Sequence, residues 1–170
     1  MVERQEVPVK SFSIAAYICR KNGGTCQHLI IQRTPGQLGE TWQMISGVLE
    51  AGESAVQAAL REIEEETGLA PERFYSANLL EGFYDIQQNC ITLVPVFVGF
   101  VSPDQQVRLS QEHQQYRWVT ADEAADYLVF PHQIETIHSI EVNFVNQPPN
   151  PLLEIDLTAV IKGSLNDRED

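Results

Sequence analysis

GVLEAGESAVQAALREIEEETGL, residues 47 to 69, decides how the rest of the chain is read. Ser54 and Gln57 stand at capping-box spacing, where a hydroxyl and an amide three residues apart each satisfy an otherwise orphan group of a helix's first turn. A helix is therefore expected to start at Ser54. Thr67-Gly68, with Pro71 just beyond, supplies a glycine stop followed by a breaker. At about 100° per residue, Val56, Ala59, Leu60, Ile63 and Thr67 share one side of that helix. Glu62, Glu65 and Glu66 gather in an arc roughly 100° wide on another side, and Glu64 points elsewhere, to water.

Three carboxylates on one helical face repel one another by some tenths of a kcal/mol per pair, and two of them sit near a helix C-terminus, where the dipole disfavours anions. No lysine is interleaved to relieve them. Hard divalent ions such as Mg²⁺ or Mn²⁺ take carboxylate oxygens and water, and would neutralise the cluster. A solvated acidic face is the plain alternative for such a run. The flanks weigh against it.

Read as Gly47, five residues, Glu53, seven residues, then Arg61-Glu62-Ile63-x-Glu65-Glu66-x-Gly68-Leu69, the segment resembles the Nudix box at every defined position. Seven fixed positions would coincide by chance on the order of once in 10⁹ starting points at average residue frequencies. The resemblance implies an α/β/α sandwich with a mixed β-sheet between helices. It also implies hydrolysis of a nucleoside diphosphate linked to another group, with Mg²⁺ (or Mn²⁺) as cofactor. Carried onto this sequence, Glu62, Glu65 and Glu66 become catalytic metal ligands, and Ser46 adds its backbone carbonyl, its hydroxyl being a weaker candidate. Gly47, Glu53, Arg61 and Gly68 become structural members of the motif. The chemistry suits these residues, because a polyphosphate repels incoming water unless its charge is neutralised, the water oriented and the leaving oxygen stabilised.

A chain of 170 residues, 43% hydrophobic, is expected to form one domain with a proper core, residues 1–150, and an extension, 151–170, packed on it or at an interface. The net charge of −13 opposes nucleic-acid backbones and anionic membranes as partners. A small nucleotide or pterin polyphosphate would then approach as a metal complex or through local basic residues. Cys19, Cys26 and Cys90 are odd in number and lack zinc-type spacing, so they read as reduced core residues of a cytoplasmic protein. Residues 1–10 are too charged for a signal peptide, and nowhere do 18 apolar residues run together.

Residues 9–19 and 28–31 read as a hairpin turning at Gly23-Gly24, followed by a loop over 34–41 and a short strand over 42–45 that delivers the chain to the box. Gly47 and Gly52 are expected to give the 48–53 loop backbone angles unavailable to other residues, folding Glu53 back toward Arg61, which braces the loop. Residues 74–86, 91–102 and 107–109 read as strands. Glu112-His113-x-x-Tyr116-x-Trp118 is similar to a pattern that follows the core sheet in several Nudix enzymes, including bacterial dihydroneopterin triphosphate (dATP) pyrophosphohydrolases. There an acid enters from a loop to ligate metal or act as general base, a role the resemblance gives to Glu112; the choice of base between Glu112 and Glu62 stays open. Thr120 and Glu123 form a second capping box, opening a short helix through Leu128 that Pro131 ends. Residues 133–145 carry a helical stripe of Ile134, Ile137, Ile140, Val142 and Phe144 that should pack on the sheet. Residues 152–161 suit a final strand or a homodimer interface, and 166–170 a frayed end.

Arg33 and Lys10 are candidate phosphate partners, and Trp42 a candidate stacking surface for a base or pterin. His132 and His138 are weaker candidates for substrate contact, lone histidines being more often structural. The motifs lean toward cleavage of a nucleoside or pterin triphosphate to monophosphate and pyrophosphate. ADP-ribose, nucleotide sugars and dinucleoside polyphosphates are the alternatives within the family. A non-catalytic Nudix-fold nucleotide-binding module is the alternative outside it, and such a module should show eroded box glutamates, whereas this box is complete.

Overall fold

Strict alternation along one strand sets the architecture. In the computed structural model, which describes residues 5–36 and 39–160, Ala15, Tyr17 and Cys19 face one side of a sheet, and Ile14, Ala16 and Ile18 the other, all of them buried. A strand apolar on both faces needs a layer on each. The chain supplies them in the order β1 (Val9–Lys10), β2 (Ser13–Asn22), β3 (Thr25–Arg33), β4 (Trp42–Gln43), β5 (Ile45–Val48), α1 (Ala55–Thr67), β6 (Arg73–Asp85), β7 (Cys90–Phe100), β8 (His113–Val119), α2 (Ala121–Ala124) and α3 (Pro131–Ile140). A π-helical turn, Glu141–Val145, continues α3, and a 3₁₀ turn, Pro151–Leu153, follows.

The sheet is mixed. β2 runs parallel to β7 and antiparallel to β3 and β5; β7 also pairs with β1 in parallel and with β6 antiparallel, while β3 carries β4 and β8 antiparallel. Ala58, Ala59 and Ile63 of α1 close one face over Leu29, Ile31 and Phe97. Ile137 and Ile140 of α3, with Phe144, close the other over Ile30, Val96 and Val98. This is the mixed sheet between helical layers expected from the motif.

Several local expectations shift. The first strand breaks after Lys10, so β1 pairs with β7 while the β2–β3 hairpin begins at Ser13. The strand over 42–45 is two strands divided at Met44, one on β3 and the other on β2. Residues 107–109 are no strand: the Arg108 and Ser110 amides instead donate to the Thr67 and Glu66 carbonyls at 2.7 and 3.1 Å, satisfying acceptors that the end of α1 leaves open. The stretch after Glu112 is β8 rather than loop. α2 stops at Ala124, and Pro131 begins α3, where its missing N–H costs nothing. The π-helical turn rotates Val142 outward, 58% exposed, while Phe144 stays in the core. Residues 152–160 form no strand: one bridge joins Glu154 to Tyr75, and Leu152 is 91% exposed. Residue 161 and the expected frayed end, like residues 1–4, lie outside the described residues. No described helix is long and apolar enough to cross a membrane.

Candidate active site

α1 is locked at both ends by its own sequence. Ser54 Oγ accepts from the Gln57 amide at 3.2 Å while Gln57 Oε1 accepts from the Ser54 amide at 2.8 Å. Gly68 closes the helix at φ 67°, a left-handed angle that favours glycine, and returns its amide to the Glu64 carbonyl. Between those caps, Glu62 and Glu66, one turn apart, face β5 and the end of β3, and Glu65 lies outward with its side chain 60% exposed.

Arg61 is the brace. Its Nε and one Nη grip both oxygens of Glu53 at 2.8 and 2.9 Å, and that Nη also reaches the Val48 carbonyl at 3.0 Å. The other Nη holds Glu62 Oε1 at 2.8 Å and Glu65 Oε2 at 3.1 Å. The fork geometry of a guanidinium matches a carboxylate in this way, and it holds the Glu53 carboxyl below its usual range. The Glu50 amide adds a third contact to Glu53 at 3.0 Å. Loop 48–53 and helix α1 are thereby one unit.

The two box glycines have different reasons. Gly52, at φ 81°, needs a backbone angle that other residues resist. Gly47 does not: it lies in β5 without a positive φ, and a Cβ there would stand 2.0 Å from both Cδ and Oε1 of Glu62. It is glycine because the Glu62 carboxylate occupies the space, which corrects the expectation of a conformational role.

Glu66 is the most perturbed acid of the site. Burial pushes its pKa up to about 8; Glu62 and, more weakly, Glu112 add to the rise, while Arg33 and the Ser46 backbone amide oppose it. Burial also raises Glu62, against the pull of Arg61. Glu66 Oε2 is buried with no hydrogen-bond partner among the described residues, as is His113 Nε2, which stands 3.9 Å from Glu66 Oε1. Burial and the Arg33 charge lower the His113 pKa, so its ring is neutral at pH 7.

A break in the β3–β8 register between Gln32 and Arg33 marks the strand end that carries Arg33, a device that re-aims side chains beside functional sites. Gln43 accepts from Arg33 Nε at 3.2 Å and steadies it. The Glu112 carbonyl is tied to the amide and hydroxyl of Thr34 at 2.9 and 3.1 Å, which places its exposed carboxylate where Glu62 and Glu66 feel its charge. The structure thus assembles Glu62, Glu66, Ser46, Gly47, Arg33 and Glu112 in one place. It does not bring Lys10 or Trp42 there. Lys10 Nζ donates to Gln88 at 3.1 Å, and Trp42 packs edge-on against Tyr127 with the Arg117 guanidinium 5.6 Å above its ring. His113 and Gln43 were missed as members of the site, although His113 stands next to Glu112 in the Glu112-His113-x-x-Tyr116-x-Trp118 pattern and Gln43 next to Trp42.

The acids gathered here, Glu62, Glu66 and Glu112, offer the carboxylate oxygens that a hard divalent cation takes. The orphaned Glu66 oxygen, in surroundings that disfavour its charge, shows a pocket short of positive charge.

A family model described as the NUDIX domain matches residues 10–140. The chain is 34% identical over 137 residues to an octanoyltransferase of Myxococcus xanthus, a match over 79% of this chain and 38% of that protein. It is 32% identical over 118 residues to the asymmetrical bis(5'-nucleosyl)-tetraphosphatase of Rattus norvegicus, over 66% of this chain and 77% of the relative. A solved C. elegans Ap4A hydrolase binary complex superposes with a TM-score of 0.67 at 21% identity, over 80% of this chain and 96% of that one, a likeness of fold. With the domain model matching most of its length and the complete box folded around Glu62 and Glu66, the chain is a member of the Nudix hydrolase family.

Proposed function

We propose that the chain is a Mg²⁺- or Mn²⁺-dependent hydrolase of nucleoside polyphosphates, with dinucleoside polyphosphates ahead of the single nucleoside or pterin triphosphates toward which the motifs lean. The observation that carries the hydrolytic part is the buried Glu66 oxygen, without a hydrogen-bond partner among the described residues, beside Glu62 and with Arg33 near. The substrate order rests on the rat tetraphosphatase, matched over most of its length. The triphosphate reading rests on the Glu112-His113-x-x-Tyr116-x-Trp118 pattern.

In this mechanism Glu62, Glu66, the Ser46 carbonyl and Glu112 would hold the cation, and Glu65, shared with Arg61, would border it. A bound divalent cation supplies the Lewis-acid charge that neutralises phosphate oxygens and activates water. Arg61 fixes the Glu62 carboxylate so that it need not reorganise during reaction. Arg33, steadied by Gln43, meets a phosphate oxygen with a guanidinium N–H. Whichever of Glu112 and Glu62 is left free of the cation takes the proton of the attacking water, since a metal-bound carboxylate is a weaker base.

The test is a product analysis over diadenosine tetraphosphate, dATP, dihydroneopterin triphosphate and ADP-ribose, with Mg²⁺, with Mn²⁺ and with chelator. An asymmetrical cut releases a mono- and a triphosphate, a triphosphate substrate releases pyrophosphate, and ADP-ribose releases two monophosphates. Fastest cation-dependent cleavage of the tetraphosphate is expected, with turnover lost by several orders of magnitude in Glu66→Gln. Preference for another substrate overturns the order, and no cation-dependent turnover of any of them overturns the hydrolytic reading.

A further inference from the structure

Away from the glutamates, the β2–β3 hairpin builds a second constellation. Its register sets Cys19 opposite His28 and Lys21 opposite Cys26, so Cys26 and His28, two residues apart on one strand, share a face with Cys19. All three are buried, at 0%, 8% and 1% exposure. Ligand atoms of the three side chains lie within 4.8 Å of one another, and Cys19 Sγ is 3.4 Å from His28 Nδ1. Zinc bond lengths to sulfur and nitrogen place S and N ligands of a tetrahedron about 3.5 Å apart, so this pair is already at ligand spacing.

The imidazole is oriented from behind. His28 Nε2 meets Glu141 Oε1 at 2.6 Å, so it donates its proton to the carboxylate and leaves the Nδ1 lone pair facing the thiols. This is the arrangement in which an outer carboxylate fixes the tautomer of a metal-binding histidine. Glu141 opens the π-helical turn, a wide turn frequent at functional sites. A cavity of about 360 Å³, lined by Cys26, Thr25, Asp122, His138 and Glu141 among others, adjoins the group on its Cys26 side. A disulfide fits less well, because Cys19 and Cys26 are diagonal neighbours across the strands, a relation that spaces Cα atoms by about 7–8 Å against the roughly 4.4–6.8 Å that a disulfide spans.

We propose that Cys19, Cys26 and His28 form a three-ligand site for a thiolate-seeking cation, Zn²⁺, with the fourth position taken by water from the adjoining cavity. Soft sulfur ligands separate it from the oxygen-lined box, which suits Mg²⁺ or Mn²⁺. No spacing rule shows it, because the ligands run Cys-x₆-Cys-x-His and come together through the Gly23-Gly24 turn. Both thiols lose their protons on binding, so zinc uptake should release protons and strengthen with pH.

The full-length protein, reduced and freed of metal, is titrated with Co²⁺ as the spectroscopic stand-in and then with Zn²⁺. One equivalent of Co²⁺ should give a near-ultraviolet thiolate-to-metal charge-transfer band, which carboxylate ligation at the box cannot produce, and Zn²⁺ should abolish it. Cys26→Ser, a small change at the rim of the site, should remove the band and leave polyphosphate hydrolysis unchanged. Glu141→Gln should keep the band and weaken zinc about 10- to 100-fold. No charge-transfer band in the folded parent protein, or a band of equal strength in Cys26→Ser, overturns the proposal. If Cys19→Ala fails to fold, Cys26→Ser and Glu141→Gln still decide it.

Discussion

Gly47→Ala is the sharpest probe of the box. The added Cβ would lie 2.0 Å from the Glu62 carboxyl group, where ordinary contact begins at 3.4 Å, so the carboxylate must retreat by about 1.4 Å or β5 must shift. β5 is tied to β2 by four registered pairs, and Glu62 sits at the end of a side chain; the side chain gives way. A displacement of this size costs on the order of 10²-fold in rate, about 2.7 kcal/mol of transition-state stabilisation, and should appear in kcat/KM and in cation affinity together. Crowding costs about 1–3 kcal/mol of stability. The decisive measurement is a stability cycle with Glu62→Ala: if the clash is with that carboxylate alone, Gly47→Ala is nearly neutral once Glu62 is shortened. Equal destabilisation in both backgrounds, or a Gly47→Ala enzyme within a few-fold of the parent rate, would refute the steric account.

Other outcomes follow from the same geometry. Because burial raises Glu66 to about 8 from a reference of 4.5, its contribution to stability without cation is full below about pH 4.5 and is lost as pH climbs toward 8, by at most about 1.4 kcal/mol per pH unit. Thermal melts in chelator should show this slope in the parent and a flatter one in Glu66→Gln; parallel slopes would remove Glu66 as its source. Arg61→Lys keeps the charge but loses the fork, and should cost roughly 1–2 kcal/mol in denaturant titration and about tenfold in kcat as Glu62 loosens. An unchanged midpoint would show that the brace is idle. Gly68→Ala meets only ordinary contact with Arg108 Cβ at 3.4 Å but must hold φ 67°, so it should lower stability by about 1 kcal/mol with steady-state constants unmoved. A matching fall in kcat would place the helix end inside the chemistry.

What was legible in the sequence is what depends on neighbours along the chain. The Ser54–Gln57 cap and the Gly68 stop are local bonds, and both stand where backbone chemistry puts them. Composition and the Gly23-Gly24 turn marked the β2–β3 hairpin, and alternating or apolar runs marked β6 and β7. What escaped depends on contacts across the fold. The reason for Gly47 is a side chain fifteen residues away, and periodicity does not show it. β8 was hidden because residues 114–117 are exposed and polar or amphipathic, the pattern of a strand paired with β3 along one edge. His113 drew no role from the sequence, because only the fold buries it against Glu66. Lys10 and Trp42 had plausible residue types, but type alone does not say which end of a strand or which face of the sheet a side chain will reach.

The bracing of α1 is almost wholly internal: Ser54 with Gln57, Arg61 with Glu53 and Val48, Gly68 with Glu64. Such a segment behaves as a cassette: its own residues set its polar geometry, while Ala58, Ala59 and Ile63 anchor its apolar face to the sheet. The surrounding strands are then free to be redrawn for a new leaving group without retuning the part that breaks the anhydride.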